Sequence, residues 1–272
     1  MTELIYPCAL IDVEWLIANK DHPNLVVFDA SWHLPDKGID GKEEYLKESI
    51  PGSLYFDYDR EIKDHNNPLP RMLPTEEDFT ESIQSLGVNS NSLIVVYDNN
   101  EMFSSPRAWW MFRAMGHQNV SVLNGGLKAW KEAGQDVVNG SNSKPNKGNF
   151  KAKFNEAFVG SDYVLSKLDE ESTVILDARS EERFMDAHMP NACNLHYATL
   201  IENGKLKPIP TLKKMFTTLL NSNQSLLCSC GSGVTACILA LGAELSGVKD
   251  IKVYDGSWSE WGKGNFPVVK GV

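Results

Sequence analysis

Short apolar runs separated by longer stretches of mixed polarity set the rhythm of this chain. In the first half they are Leu25-Val-Val-Phe28, Leu93-Ile-Val-Val-Tyr97 and Val120-Ser-Val-Leu123. In the second they are Thr173-Val-Ile-Leu176, Ser225-Leu-Leu-Cys228 and Ile251-Lys-Val-Tyr254. Each is near-continuously apolar rather than strictly alternating, which predicts a strand buried on both faces. The helical patterns between them predict crossovers, and a parallel sheet follows. The fold class read from this pattern is α/β, with two domains, each a mostly parallel sheet carrying helices on both faces.

The two halves repeat. Leu123-Asn-Gly-Gly-Leu-Lys-Ala-Trp130 aligns with Tyr254-Asp-Gly-Ser-Trp-Ser-Glu-Trp261 at an offset of 131, which also sets Gly116 on Gly247 and Val95 on Leu226. Upstream, Phe28-Asp-Ala30 pairs with Leu176-Asp-Ala178, and Ile50-Pro-Gly-Ser53 with Met189-Pro-Asn-Ala192. Internal similarity of this length marks a duplication that has since diverged. Between the halves, Asn139-Gly-Ser-Asn-Ser-Lys-Pro-Asn-Lys-Gly-Asn149 is polar and without periodicity, the signature of an exposed linker. The expected boundaries are 1–138, a linker over 139–155, and 156–272.

Composition narrows the partners. At 272 residues the chain has room for two cores. A formal charge of −10 offers no basic surface for phosphates, so a nucleic-acid partner is not expected. The start Met1-Thr-Glu-Leu-Ile-Tyr-Pro7 lacks a basic stretch leading into an apolar one, and no apolar run approaches the roughly 18 residues of a membrane span. Five cysteines, at 8, 193, 228, 230 and 237, form neither a disulfide framework nor a pair of metal knuckles. A cytoplasmic, reducing setting is expected, with no membrane partner, metal or cofactor.

Chemistry concentrates in Ser225-Leu-Leu-Cys-Ser-Cys230-Gly-Ser-Gly-Val-Thr-Ala236. A buried strand enters a small turn punctuated by Gly231 and Gly233, and an Ala- and Leu-rich helix is expected from near Val234. Glycines let successive N–H groups curl toward one centre, and a helix start adds positive charge, so a thiolate at Cys230 would be stabilised. A lone cysteine at a strand end is more often core filler; the turn reverses that balance for Cys230 but leaves Cys228 and Cys237 as core residues. Two competing motifs are weaker. Gly231-Ser-Gly-Val-Thr-Ala236 fits a dinucleotide fingerprint, with Asp255 at ribose distance, but too little chain follows for such a domain, and the aligned loop Asn99-Asn-Glu-Met-Phe-Ser-Ser105 has no glycine. A cysteine phosphatase needs an arginine six residues after the nucleophile, where Ala236 stands.

The Cys230 loop resembles that of 3-mercaptopyruvate sulfurtransferases; thiosulfate sulfurtransferases carry basic residues where Gly231 and Ser232 stand. The resemblance extends through Asp29-Ala-Ser-Trp-His-Leu-Pro35, Ser105-Pro-Arg-Ala-Trp-Trp-Met-Phe-Arg113 and Tyr254-Asp-Gly-Ser-Trp-Ser-Glu-Trp-Gly262. It implies tandem rhodanese-like domains, the second catalytic and the first an inactive copy with Asn99 at the place of Cys230. It implies transfer from a small-molecule sulfur donor, 3-mercaptopyruvate, through a Cys230 persulfide to a thiol acceptor such as thioredoxin or to cyanide. Thiosulfate as donor, and a sulfur-carrier module without turnover, are the alternatives. Ser232 matches a proton-relaying serine and Arg183 a donor-carboxylate arginine, with Gly231, Gly233, Val234 and Thr235 forming the loop around the donor. Arg179 and Arg107 are the next carboxylate candidates. Two departures stand out. A second carboxylate arginine is missing, because Met185-Asp186-Ala187 runs straight into His188; and Ser49 replaces a relay histidine, with Asp40 matched to the relay's aspartate.

Overall fold

The six apolar runs form the three interior strands of each of two sheets. In the computed structural model, which describes residues 8–142 and 145–271, the first half contributes β1 (Leu10–Ile11), β2 (Leu25–Asp29), β3 (Leu54–Tyr55), β4 (Leu93–Tyr97) and β5 (Val120–Leu123). Their order is β1-β5-β4-β2-β3, and every pairing is parallel. The second half contributes β6 (Phe158–Val159), β7 (Thr173–Asp177), β8 (Ala192–Asn194), a small pair β9 (Ile201–Glu202) and β10 (Lys205–Leu206), then β11 (Ser225–Ser229) and β12 (Ile251–Tyr254). The order β6-β12-β11-β7-β8 repeats the first sheet, again all parallel. Edge strands of two or three residues carry no periodicity, which is why only the interior strands are legible in the sequence.

Equivalent residues of the repeat hold equivalent structural positions. Trp130 and Trp261 are both buried, and each donates its indole N–H to a carbonyl six residues on, Asp136 and Pro267. Gly116 and Gly247 both take left-handed backbone. Helices Ser105–Ala114 and Ala236–Leu245 start and end in register. The second begins two residues later than expected, with Thr235 as its N-cap.

The chain divides into two units. The first holds the chain up to Ile62, Pro74–Phe154 and Asn203–Lys205; the second holds Lys63–Leu73, Asn155–Glu202 and the chain from Leu206. Two features depart from the sequence reading. Residues 63–73, inside the first half, belong to the second unit. The stretch expected as a linker, of which Ser143 and Lys144 lie outside the described residues, is hydrogen-bonded along the first unit. Gly140 and Ser141 N–H bond to Tyr45, Gly148 N to Gln84 O, and Phe150 N to Val88 O. Phe150 is buried against Phe79 and Phe112. A polar composition marks exposure of side chains here, not freedom of the backbone.

Candidate active site

Cys230 follows β11 directly and is 2% exposed. Its backbone is pinned on both sides. The Cys230 N–H donates to Ser257 Oγ (3.1 Å), whose own hydroxyl donates to Tyr254 O (2.7 Å). Trp258 N–H donates to Cys230 O (3.0 Å) and Ser259 N–H to Gly231 O (2.8 Å). Ser257 Oγ stands 3.9 Å from Cys230 Sγ. Ser257 holds this place at φ 48, a left-handed conformation that its repeat equivalent Gly126 takes at φ 54 without steric cost. A serine kept in that region at a cost of roughly 1–2 kcal/mol points to its hydroxyl as the reason. Gly233, at φ 73, makes the turn into the helix.

Beyond that anchoring, the loop is open. Among the described residues, the amides of Gly231, Ser232, Val234, Thr235 and Ala236 have no protein acceptor. The first unit shows what such a loop does when filled. Asp98, one residue before Asn99, is fully buried. It accepts from Asn100 N (3.2 Å) and Met102 N (3.0 Å) on Oδ1, and from Ser104 N (3.0 Å), Ser105 N (2.7 Å) and Ser105 Oγ (2.7 Å) on Oδ2. An internal carboxylate takes up the inward N–H groups of that loop. At the equivalent position the second unit has Ser229, whose hydroxyl has no partner among the described residues. Its loop donors are left for an anion, in a helix-start concavity that favours negative charge.

Two guanidinium groups touch this loop. Arg183, exposed on the helix Glu181–Asp186, sits against Gly231: a Cβ there would lie 3.4 Å from Nη2 and 3.7 Å from Nη1. Among the described residues it makes no ion pair. Arg71 Nη2 donates to Ser232 Oγ at 3.0 Å. Arg71 belongs to the second unit through residues 63–73, and sequence reasoning missed it. Nothing in Asn67-Pro-Leu-Pro-Arg-Met-Leu-Pro74 signals a site; only the chain's path brings it there.

Of the expected site residues, Cys230, Ser232, Gly231, Gly233, Val234, Thr235 and Arg183 come together in the second unit. Arg179 is close but committed. It is 4% exposed, donates to both carboxylate oxygens of Asp177 (2.6–3.0 Å) and to Ala187 O (2.8 Å), and stacks 4.1 Å over Trp258. Arg179 therefore supports the loop through Trp258 rather than reaching a donor. Arg107 is fully buried in the first unit. Asp40 caps the helix Gly41–Lys47, accepting from Lys42 N and Glu43 N, and pairs with Arg60 at 2.8 Å, which holds its carboxyl below the usual range. Ser49 is buried with its hydroxyl on Val138 O. The partner that Ser232 has in its own unit is Arg71. Cys228 is fully buried and its thiol is pushed well up by desolvation, so it stays protonated; Cys237 Sγ bonds Gly233 O. Asp255 Oδ2 holds Leu73 N (2.8 Å), tying residues 63–73 to the sheet end beside Ser257.

The profile of the rhodanese-like domain matches this chain twice, over residues 12–133 and 161–263. The chain belongs to the rhodanese-like family. Its similarity runs nearly end to end. It is 36% identical to mouse 3-mercaptopyruvate sulfurtransferase over 93% of this chain and 91% of that one. It is 37% identical to chicken thiosulfate sulfurtransferase over 93% of each. Among solved structures, the rhodanese-fold SseA of Escherichia coli, described as a 3-mercaptopyruvate sulfotransferase, matches with a TM-score of 0.85 and 36% identity over 93% of this chain and all of that one. Among the described residues, no helix of this rhodanese is long and apolar enough to cross a membrane.

Proposed function

We propose that this rhodanese is a sulfurtransferase that takes sulfur from 3-mercaptopyruvate onto Cys230 and passes it to a thiol. The observation that carries the reading is the Cys230 loop, held by Ser257, Trp258 and Ser259 while the amides of Gly231, Ser232, Val234, Thr235 and Ala236 have no protein acceptor among the described residues. The same loop in the first unit is closed by Asp98, which fits an inactive copy. In the first half-reaction the Cys230 thiolate attacks the donor's sulfur. An S–S bond forms, the donor's C–S bond breaks, and its electron pair leaves on carbon. That carbon takes the proton shed by the donor thiol, giving pyruvate and a Cys230 persulfide anion inside the ring of amides. Ser232, held by Arg71, lies beside Cys230 to orient the proton's path, and Arg183 holds the donor's carboxylate. In the second half-reaction a thiol such as that of thioredoxin, or cyanide, attacks the outer sulfur and restores the thiolate. A reducing compartment, the cytoplasm in our reading, keeps Cys230 competent.

Thiosulfate is the second reading, favoured by the chicken relative; sulfite would then leave with the electron pair. Gly231 and Ser232 carry no charge of their own, and the guanidinium groups beside them, Arg183 and Arg71, have the planar geometry that a donor's carboxylate matches. Steady-state pyruvate release with excess thiol tests the proposal. Multiple turnovers with 3-mercaptopyruvate and slower sulfite release from thiosulfate support it. A single turnover that then stops would make the protein a sulfur carrier instead.

A further inference from the structure

We infer that Arg71 is a second anion-binding residue of the donor site, acting beside Arg183 to hold the donor's charged end next to Cys230. The inference deepens the sulfurtransferase reading and rests on it. Residues 63–73 form a closed loop: Asp64 N–H donates to Met72 O (2.9 Å), with turns at Asp64–Asn66 and Asn67–Leu69. Asp255 fixes the end of the loop through Leu73 N. Asp255 follows β12, and loops at the carboxyl ends of parallel strands are where such sheets bind ligands. The segment is thus delivered to the face that carries Cys230.

Arg71 itself is left-handed, at φ 59. A glycine would hold that turn without strain, so the turn alone does not call for arginine. Its guanidinium reaches Ser232 at 3.0 Å, while that of Arg183 lies against Gly231. The two residues that follow the nucleophile are therefore each touched by a fixed positive charge. The planar fork of N–H donors on a guanidinium matches the geometry of a carboxylate. A guanidinium offers donors and no acceptor, so Arg71 can only donate to Ser232. The Ser232 proton is then directed at another acceptor, the reacting sulfur or carbon.

Arg71→Gln keeps the length and a donor but removes the charge; Arg71→Gly removes the side chain and relieves the backbone, so it folds even where the glutamine variant does not. Wild-type protein is first incubated with 3-mercaptopyruvate. Failure to acquire sulfur on Cys230 would defeat the sulfurtransferase reading itself. With loading established, we expect both variants to raise KM for 3-mercaptopyruvate about tenfold or more, as loss of a charged hydrogen bond to a carboxylate does. The inhibition constant for pyruvate should rise in parallel. Discharge of the preloaded persulfide by neutral 2-mercaptoethanol should change by much less, since that step binds no carboxylate. Unchanged KM and pyruvate inhibition in a protein that still loads would overturn the inference. So would an equal loss in both half-reactions, which would make Arg71 a support of the loop only.

Discussion

Asp29 is the repeat equivalent of Asp177, yet it lacks that residue's arginine: Ser31 stands where Arg179 would be. Asp177 is neutralised by a bidentate guanidinium, whereas Asp29 accepts from Ser31 N (2.8 Å) on Oδ1 and has no partner on Oδ2 among the described residues. Desolvation by burial, partly offset by the Ser31 hydrogen bonds, raises its pKa from 3.8 to about 7. The fold therefore binds a proton that the unfolded chain releases. The stabilisation is complete below the unfolded pKa and is lost as pH rises through about 7. The full span of about three pK units corresponds to about 4 kcal/mol, and the part between about pH 5.5 and about pH 8.5 to about 2 kcal/mol. Asp29→Asn removes the titration while keeping the Oδ1 acceptor. Urea unfolding of both proteins at the two pH values should show the variant gaining about 2 kcal/mol relative to wild type from the lower pH to the higher. A difference that does not change with pH would show that Asp29 is ionised in the fold, and the argument from its lost arginine would fail.

Three further outcomes follow from the site. Arg183→Ala should raise KM for 3-mercaptopyruvate about tenfold or more, at roughly 1.4 kcal/mol per decade, with little change in stability; an unchanged KM in steady-state assays would move carboxylate recognition away from Gly231. Ser257→Ala leaves the buried Cys230 N–H without its acceptor and keeps the left-handed strain, so it should cost about 1–3 kcal/mol and slow persulfide formation, while Ser257→Gly should be less destabilised by about 1 kcal/mol; equal denaturation midpoints would refute the strain. Arg179→Met strands a buried Asp177 carboxylate and should cost about 3–5 kcal/mol. Raised KM without lost stability in that variant would make Arg179 a donor-binding residue after all.

The interior strands and the Cys230 loop were legible because each has a local signal, a continuous apolar run in one case and glycines after a strand in the other. The difference between the two loops was half legible. Asn99 at the nucleophile position was visible in the repeat. The plug formed by Asp98 was not, because a carboxylate folding back on its own loop needs the path of Asn100–Ser105 to be known. Arg179 and Arg183 looked alike as candidates; what separates them is Asp177, two residues before Arg179 at the end of β7, which claims the nearer guanidinium. Asp40 and Ser49 were assigned by resemblance, and their local bonding places them at a helix cap and a backbone bridge. Arg71 could not be read at all: it lies far from Cys230 in sequence, in a Pro-rich stretch without periodicity, and only topology joins the two.

The central claim is that Cys230 carries the sulfur. Wild type, Cys228→Ala and Cys230→Ser are incubated with 3-mercaptopyruvate, and intact mass and mapped peptides are recorded together with released pyruvate. The account predicts an adduct of about 32 Da, one sulfur atom, on Cys230 in the first two proteins, matched by one equivalent of pyruvate, and none in Cys230→Ser. Sulfur found on Cys228 or Cys193, or pyruvate released by folded Cys230→Ser, would contradict it.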